Sequence, residues 1–321
     1  MNLRFPSAVP SPVTTPRTPL ALPAVRSDPL LTSHRVEIPE LRDLAASGRL
    51  YAIIDACATP SVVEKAWEIG ETHAISLYRG SADEMYSAFA PYLFAVDGDL
   101  LDWILSELWT EPWGIFAVSD AEFDALRRHF RRFLIVGAGT EQWYFRFYDP
   151  RVLRIVLGAT NSVQNSRIFQ KNVMLVIGSV ECAPTVFQYH SRVRKISLSK
   201  PGDAGVSMLA IEFTSEQISQ ISRSMRSQFI RDTASNLGTN FNILADEANE
   251  LEKWCERWIT ISEQYQIDDR SRVVRFLESC LALSRIHGEM ATQEVVRQVA
   301  EQQRSPDAFV ENLFRSALLL T

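Results

Sequence analysis

Between Leu50 and Leu157, short apolar runs alternate with stretches in which apolar residues recur every three or four positions. A chain patterned this way has few options. The short runs pair as strands and the longer stretches cover them as helices, which makes a mixed α/β lobe. LYAIIDA, from Leu50 to Ala56, reads as a buried strand, and Thr59 with Pro60 opens a helix carrying Val62, Val63, Ala66 and Trp67. AISLYRG supplies a short strand, and Ser81 with Glu84 makes a capping box ahead of MYSAFA. PYLFAV, from Pro91 to Val96, is the next buried strand, before a helix with Leu101, Ile104, Leu105 and Leu108. GIFAVS, from Gly114 to Ser119, follows. Ser119 with Glu122 makes a second capping box, starting a helix with Phe123, Leu126, Phe130 and Phe133 on its apolar side and Arg127, Arg128, Arg131 and Arg132 elsewhere.

FLIVG, GTEQ and WYFRFYD then read as a hairpin. The stretch WYFRFYDPRVLRIVL, from Trp143 to Leu157, packs a strand, a sharp turn and a helix start into one short segment. The expected strand includes Tyr144 to Tyr148, with Arg146 on the same face as Tyr144 and Tyr148. Asp149 supplies an N-cap carboxylate and Pro150 a fixed φ at the first helical position, so a helix with Val152, Leu153, Val156 and Leu157 should follow.

After Leu157 the signal changes. A helix near Ser162 to Gln170 precedes two strand-like runs, VMLVIGSV and VFQYHSRVRKISL, which either extend the sheet or form a ribbon beside it. KPGDAG, from Lys200 to Gly205, reads as a linker. Thr214 and Gln217 form a capping box for a helix with Ile218, Ile221, Met225 and Phe229. Phe241, Leu244, Ala248, Leu251, Cys255, Trp258 and Tyr265 recur at helical steps and describe one long helix. A helix from Val273 to Ile286 ends at Gly288, and Ser305 with Pro306 starts the last. The expected organisation is a disordered proline-rich tail over residues 1–35, an α/β domain over 36–205 and an all-α helical bundle over 206–321.

With 321 residues, of which 46% are hydrophobic, the chain can bury a large core in two lobes. A net charge of −6 argues against a surface that attracts nucleic acid or anionic lipid as a whole. Cys57, Cys182, Cys255 and Cys280 are far apart and show no metal-ligand spacing, so reduced, packed thiols are expected. Prolines cut the apolar runs of the first 35 residues, so neither a signal-peptide core nor a membrane span fits there.

Chemistry has few candidates. Gly137-Ala138-Gly139 follows a strand, as a dinucleotide loop would, but a second strand comes next, which makes it a hairpin turn. Asp55 ends a strand where α/β folds often place functional carboxylates, with a polar strand end or a helix cap as the plainer role. His129, beside arginines, reads as a surface or boundary residue, and no histidine has metal spacing. No cofactor or metal is expected. The arginines are more suggestive: Arg79, Arg127, Arg128, Arg131, Arg132, Arg146, Arg151 and Arg154 form a candidate set for gripping a partner's carboxylates or carbonyls, for which the planar guanidinium is well suited.

The order LYAIIDA, LYRG, APYLFAV, WGIFAVS, LRRHFRRFLIV, FRFYDPRVL resembles the adaptor or chaperone family of bacterial type VI secretion, domain of unknown function 4123, over roughly Arg49 to Phe169. The family's recurring positions fall on Asp55, Arg79, Gly80, Pro91, Tyr92, Leu93, Trp113, Gly114, Ser119, His129, Arg132, Arg146, Tyr148, Asp149, Pro150 and Arg151. The resemblance implies a non-enzymatic protein of the bacterial cytoplasm that binds a toxic effector and helps load it onto the VgrG spike or its PAAR tip. It implies neither nucleic acid nor membrane as a partner. On this view the α/β lobe serves a task common to the family and the helical lobe selects the cargo. Trp254 and Ile259 there either line a groove or pack in the core. The alternative is an enzyme acting on phosphate-containing substrates through Asp55 or Asp149 and the arginines.

Overall fold

Every residue of the LYAIID run is buried, which requires a strand paired on both edges and covered on both faces. The computed structural model, which describes residues 28–109, 111–170, 173–178, 184–190, 211–302 and 305–318, places it so. The chain opens with β1 (Leu31–Arg35), α1 (Ile38–Ala46), β2 (Leu50–Asp55), α2 (Ser61–Ile69), β3 (Ala74–Ser76) and α3 (Ser81–Tyr86). There follow β4 (Pro91–Ala95), α4 (Gly98–Trp103) with a π-helical turn at Ile104–Leu108, β5 (Gly114–Val118) and α5 (Phe123–Arg131). Next come β6 (Ile135–Ala138), β7 (Glu141–Tyr144), α6 (Pro150–Ala159), α7 (Ser162–Ile168), β8 (Met174–Ile177), β9 (Thr185–Tyr189) and β10 (Glu212–Phe213). The fold is a mixed sheet-and-helix lobe followed by an all-helical region.

Seven strands form one sheet in the order β1-β9-β8-β5-β2-β4-β3, antiparallel at every pairing. The runs after Met174 therefore extend the sheet. Leu50, Ala52 and Ile54 of β2 face a cluster with Val62, Phe94, Leu101, Ile104 and Phe116, as alternation along a strand demands. Gly114 lets β5 approach β2: a Cβ there would stand 2.1 Å from the Ile53 carbonyl oxygen. Leu31–Arg35, expected within the tail, is an edge strand on β9. Its sequence, LTSHR, is mostly exposed and so lacks an apolar pattern to announce it. Residues 1–27, the Lys200 to Gly205 linker and Cys182 lie outside the described residues.

A second sheet runs β10-β6-β7. Ala138 pairs with Glu141 across a two-residue turn whose Gly139 has φ +65°, so the Gly-Ala-Gly run is strand and turn, as a tight hairpin requires. The strand expected up to Tyr148 stops at Tyr144. Phe145 still donates its N–H to the Leu134 carbonyl at 2.9 Å, and then the Asp149 N–H donates to the Arg146 carbonyl at 3.0 Å. The chain turns there because Asp149 must cap α6. Two capping boxes also fail. Gly80, with φ +57°, precedes α3 in place of a serine cap, and Ser119 accepts from the Ala121 N–H at 3.1 Å, which leaves Glu122 at the start of α5. The Thr214–Gln217 box forms in both directions, at 3.0 and 3.2 Å.

The chain divides into two compact units within α8 (Ser215–Asn240), between Arg223 and Ser224. The second unit holds the rest of α8 with α9 (Ala248–Gln264), α10 (Arg270–His287), α11 (Glu289–Gln302) and α12 (Pro306–Leu318). The long helix expected from Phe241 to Tyr265 is broken at its start: Asn242 adopts φ +52° and a 3-10 turn, Ala245–Glu247, precedes α9. Trp254, Trp258, Ile259, Phe276 and Phe309 are buried in one core. Trp254 and Ile259 thus pack inward and line no groove. Burial pushes the Cys255 thiol up to about 12. No described helix is long and apolar enough to cross a membrane.

Candidate functional site

Asp55 ends β2 with only 1% of its surface exposed, and a carboxylate that deep needs partners. Its Oδ1 accepts from the Cys57 N–H at 3.0 Å, shaping the turn after the strand, and its Oδ2 accepts from Arg146 Nη2 at 2.5 Å. The same guanidinium nitrogen lies 3.7 Å from Asp149 Oδ2, so one arginine bridges two carboxylates. Asp149 caps α6 by accepting from the Arg151 N–H at 3.0 Å, and the Arg151 guanidinium folds back on it through Nε at 3.0 Å and Nη2 at 2.8 Å. The Asp-Pro-Arg sequence is therefore a cap, a pre-set φ and a bidentate clasp. Asp55 thus sits at a buried strand end and joins an ion network that links β2 to the turn between β7 and α6.

Burial pushes the Asp149 carboxyl up, but the hydrogen bonds and charge of Arg151 and the charge of Arg146 outweigh it, leaving it below the ordinary 3.8. A depressed carboxylate contributes stability above its unfolded pKa that is lost as pH falls through the folded value. Asp149→Ala is expected to cost ~0.5–3 kcal/mol, the cap being worth ~0.5–2 and the half-exposed clasp up to ~1. Asp149→Asn should recover the cap share alone, with its gap to wild type closing as pH falls below 3.8. Urea unfolding at neutral and acid pH measures both, and an alanine variant as stable as wild type would remove the cap.

Tyr148 extends the network outward. Its ring lies 5.9 Å from the Arg146 guanidinium, its hydroxyl is 3.0 Å from that of Tyr144, and Tyr144 is 2.9 Å from Tyr78. Burial raises both the Tyr144 and Tyr148 hydroxyls above the usual phenol range; the Tyr148 and Tyr78 hydroxyls add to the rise at Tyr144, while at Tyr148 the hydrogen bond with Tyr144 and the charge of Arg146 work against it and Asp55 adds to it. They act as neutral hydrogen-bonding groups. Tyr144 and Tyr78 deliver the network to an open groove of about 670 Å³.

The groove lies between the loop and short helix after β3, the C-terminal half of α5, and the β6–β7 hairpin. Leu77, Leu134 and Ile135 make its aliphatic lining, with Tyr86 and Phe89 at one side. Tyr86 is 51%, Phe89 57% and Ile135 39% exposed, an apolar concentration of the kind that marks interaction surfaces. Arg79, Arg128, Arg131 and Arg132 line it as well.

The structure sorts the candidate arginines. Arg146 and Arg151 belong to the ion network. Arg132 donates to His129 Nδ1 at 2.8 Å and to Gln170 Oε1 at 3.1 Å, while His129 Nε2 donates to the Ile168 carbonyl at 2.8 Å. His129, expected at the surface, is 2% exposed and ties α5 to α7, because Leu126, His129 and Phe130 share the buried side of the helix. Arg127 and Arg154 are half-buried and outside the groove lining. Arg79, Arg128 and Arg131 make no ion pair among the described residues. Burial, then the charges of Arg127 and Arg79, pull the Arg131 guanidinium below its ordinary value, with Asp83 opposing. Sequence reasoning missed Tyr86, Phe89 and Ile135. For Tyr86 and Phe89 the signal was the largely apolar run MYSAFA, too short before Pro91 for a helix to bury; Ile135, within FLIVG, carried none of its own. Among the described residues, no three His, Cys, Asp or Glu side chains are arranged to hold a metal ion.

The family model described as Domain of unknown function (DUF4123) matches residues 50–167, a stretch that contains both the ion network and the groove. No curated protein and no solved structure matches the chain.

Proposed function

We propose that this chain is an adaptor of the bacterial cytoplasm that binds a type VI secretion effector and helps load it onto the VgrG spike or its PAAR tip. The observation that carries the reading is the open groove within the stretch that the family model matches, with its apolar lining and with Arg79, Arg128 and Arg131, which make no ion pair among the described residues. Such a surface suits a protein partner: apolar burial supplies affinity and charged groups supply register and on-rate. In this reading Asp55 and Asp149 serve the fold. Both carboxylates are taken up by Arg146 and Arg151, which leaves neither poised to act on a phosphate ester. The α/β lobe performs the shared task, and cargo choice falls to the helical unit.

Deleting the chain tests the proposal. The cognate effector should disappear from the culture medium while the secretion apparatus still fires, and its return should follow complementation. Undiminished effector secretion from the deletion strain would contradict it. A spike gene and a toxin gene in the neighbouring reading frames would name the partners to use.

A further inference from the structure

We propose that the groove binds an acidic segment of a partner protein bearing bulky aliphatic or aromatic side chains. This deepens the adaptor reading and rests on it for the partner's being a protein. The charge argument is local. Elsewhere on this chain, arginines such as Arg42, Arg49 and Arg272 reach carboxylates at 2.7, 2.6 and 2.6 Å. Around the groove, Arg79, Arg128 and Arg131 stand together with no ion pair among the described residues, in a protein whose net charge is −6. Asp83 offsets only part of this crowding at Arg131, and like charges held without a contact ion pair are relieved by carboxylates brought from outside. A guanidinium that is partly desolvated, as Arg131 is, grips a carboxylate more tightly and bidentately.

The lining decides what else the segment carries. Leu77, Leu134 and Ile135 offer aliphatic contact, and Phe89 and Tyr86 offer exposed rings. At about 670 Å³ the groove has the volume of a small-ligand site, ~300–1,000 Å³. It takes a few side chains of a segment and no folded domain. A nucleic acid is disfavoured, since the chain as a whole repels it and the base of the groove is aliphatic. A membrane is disfavoured by concavity, because a groove offers a flat bilayer little contact.

The test is a display selection of random short peptides on the full-length protein, with counter-selection on Arg128→Glu/Arg131→Glu. Enriched peptides should be acidic, contain Leu, Ile, Phe or Trp, and bind wild type at least ~10-fold more tightly than the variant, about 1.4 kcal/mol. Their binding should weaken as salt rises. Ile135→Ser, which leaves the arginines in place, should weaken the same peptides, and Arg128→Gln/Arg131→Gln serves if the reversed pair fails to fold. Enrichment of basic or neutral peptides, equal binding to the variant, or no enrichment would overturn the proposal. Tighter Arg128- and Arg131-dependent binding of a single-stranded oligonucleotide or of anionic phosphatidylserine vesicles would also overturn it. The two readings fail separately. Effector secretion that depends on the chain, with no peptide selected, removes the groove and keeps the adaptor; selected peptides with secretion intact do the reverse.

Discussion

Replacing Arg146 with alanine is expected to cost ~3–5 kcal/mol of folding stability, the range for removing one partner of a buried ion pair. The cost lies in what is left behind. The Asp55 side chain is 1% exposed while that of Arg146 is 41% exposed, so the arginine is anchored near water and the aspartate is not. Without Arg146, Asp55 keeps the Cys57 N–H as a donor but loses its counterion in an interior that solvates charge poorly. Asp149 suffers less, because Arg151 holds it from two nitrogens. Arg146→Lys should recover part of the loss, since a compact ammonium cannot span Asp55 and Asp149 as the planar guanidinium does. Asp55→Asn combined with Arg146→Ala should cost less than the two singles summed, the signature of direct coupling. Chemical denaturation of the four proteins reads this out. A loss below ~1 kcal/mol for Arg146→Ala, the level of an exposed pair, would mean that the pair stabilises nothing of note. Against a typical total of ~5–15 kcal/mol, the predicted loss leaves the variant marginal.

Each half of that network was legible in the sequence and the join was not. Asp55 closes an apolar run, and Asp149 precedes a proline, which announces a cap; Arg146 and Asp55 are 91 residues apart, and only the strand order brings them together. The aromatic run from Tyr144 to Tyr148 satisfies a strand's periodicity, but the cap on α6 bends the backbone before the ladder can continue. Short patterns misled in the same way. Ser81 and Ser119 each have a glutamate three residues on, yet a left-handed Gly80 and a local serine turn claim those positions. His129 reads as a surface or boundary residue because the four arginines around it suggest solvent, whereas its spacing from Leu126 and Phe130 puts it on the inward side. The helical unit was read correctly as helical, since its apolar stripes are long. Its break at Asn242, and the choice between groove and core for Trp254 and Ile259, depended on packing that periodicity does not encode. The groove escaped because its lining comes from three separate segments.

Charge reversal at Arg128 and Arg131 is expected to weaken capture of the partner by ~2–4 kcal/mol, roughly 30- to 1,000-fold, with little loss of stability. Both side chains line the groove, and neither holds an ion pair among the described residues, so the folded chain loses no contact that counts. Stability should stay within ~0.5 kcal/mol of wild type, the range for surface changes. Arg132→Glu makes the internal control. It removes the donor to His129 Nδ1 and should lower stability and binding together. A reversed pair that melts like wild type and captures the partner unchanged would place recognition elsewhere on the chain.

The most direct measurement is co-expression of the chain with candidate effector and spike proteins, followed by affinity capture and size exclusion. The adaptor account predicts a complex of chain and effector that elutes as one species, brings the spike protein with it, and falls apart when Arg128 and Arg131 are reversed. Free elution of all three proteins, across each effector candidate, would contradict it.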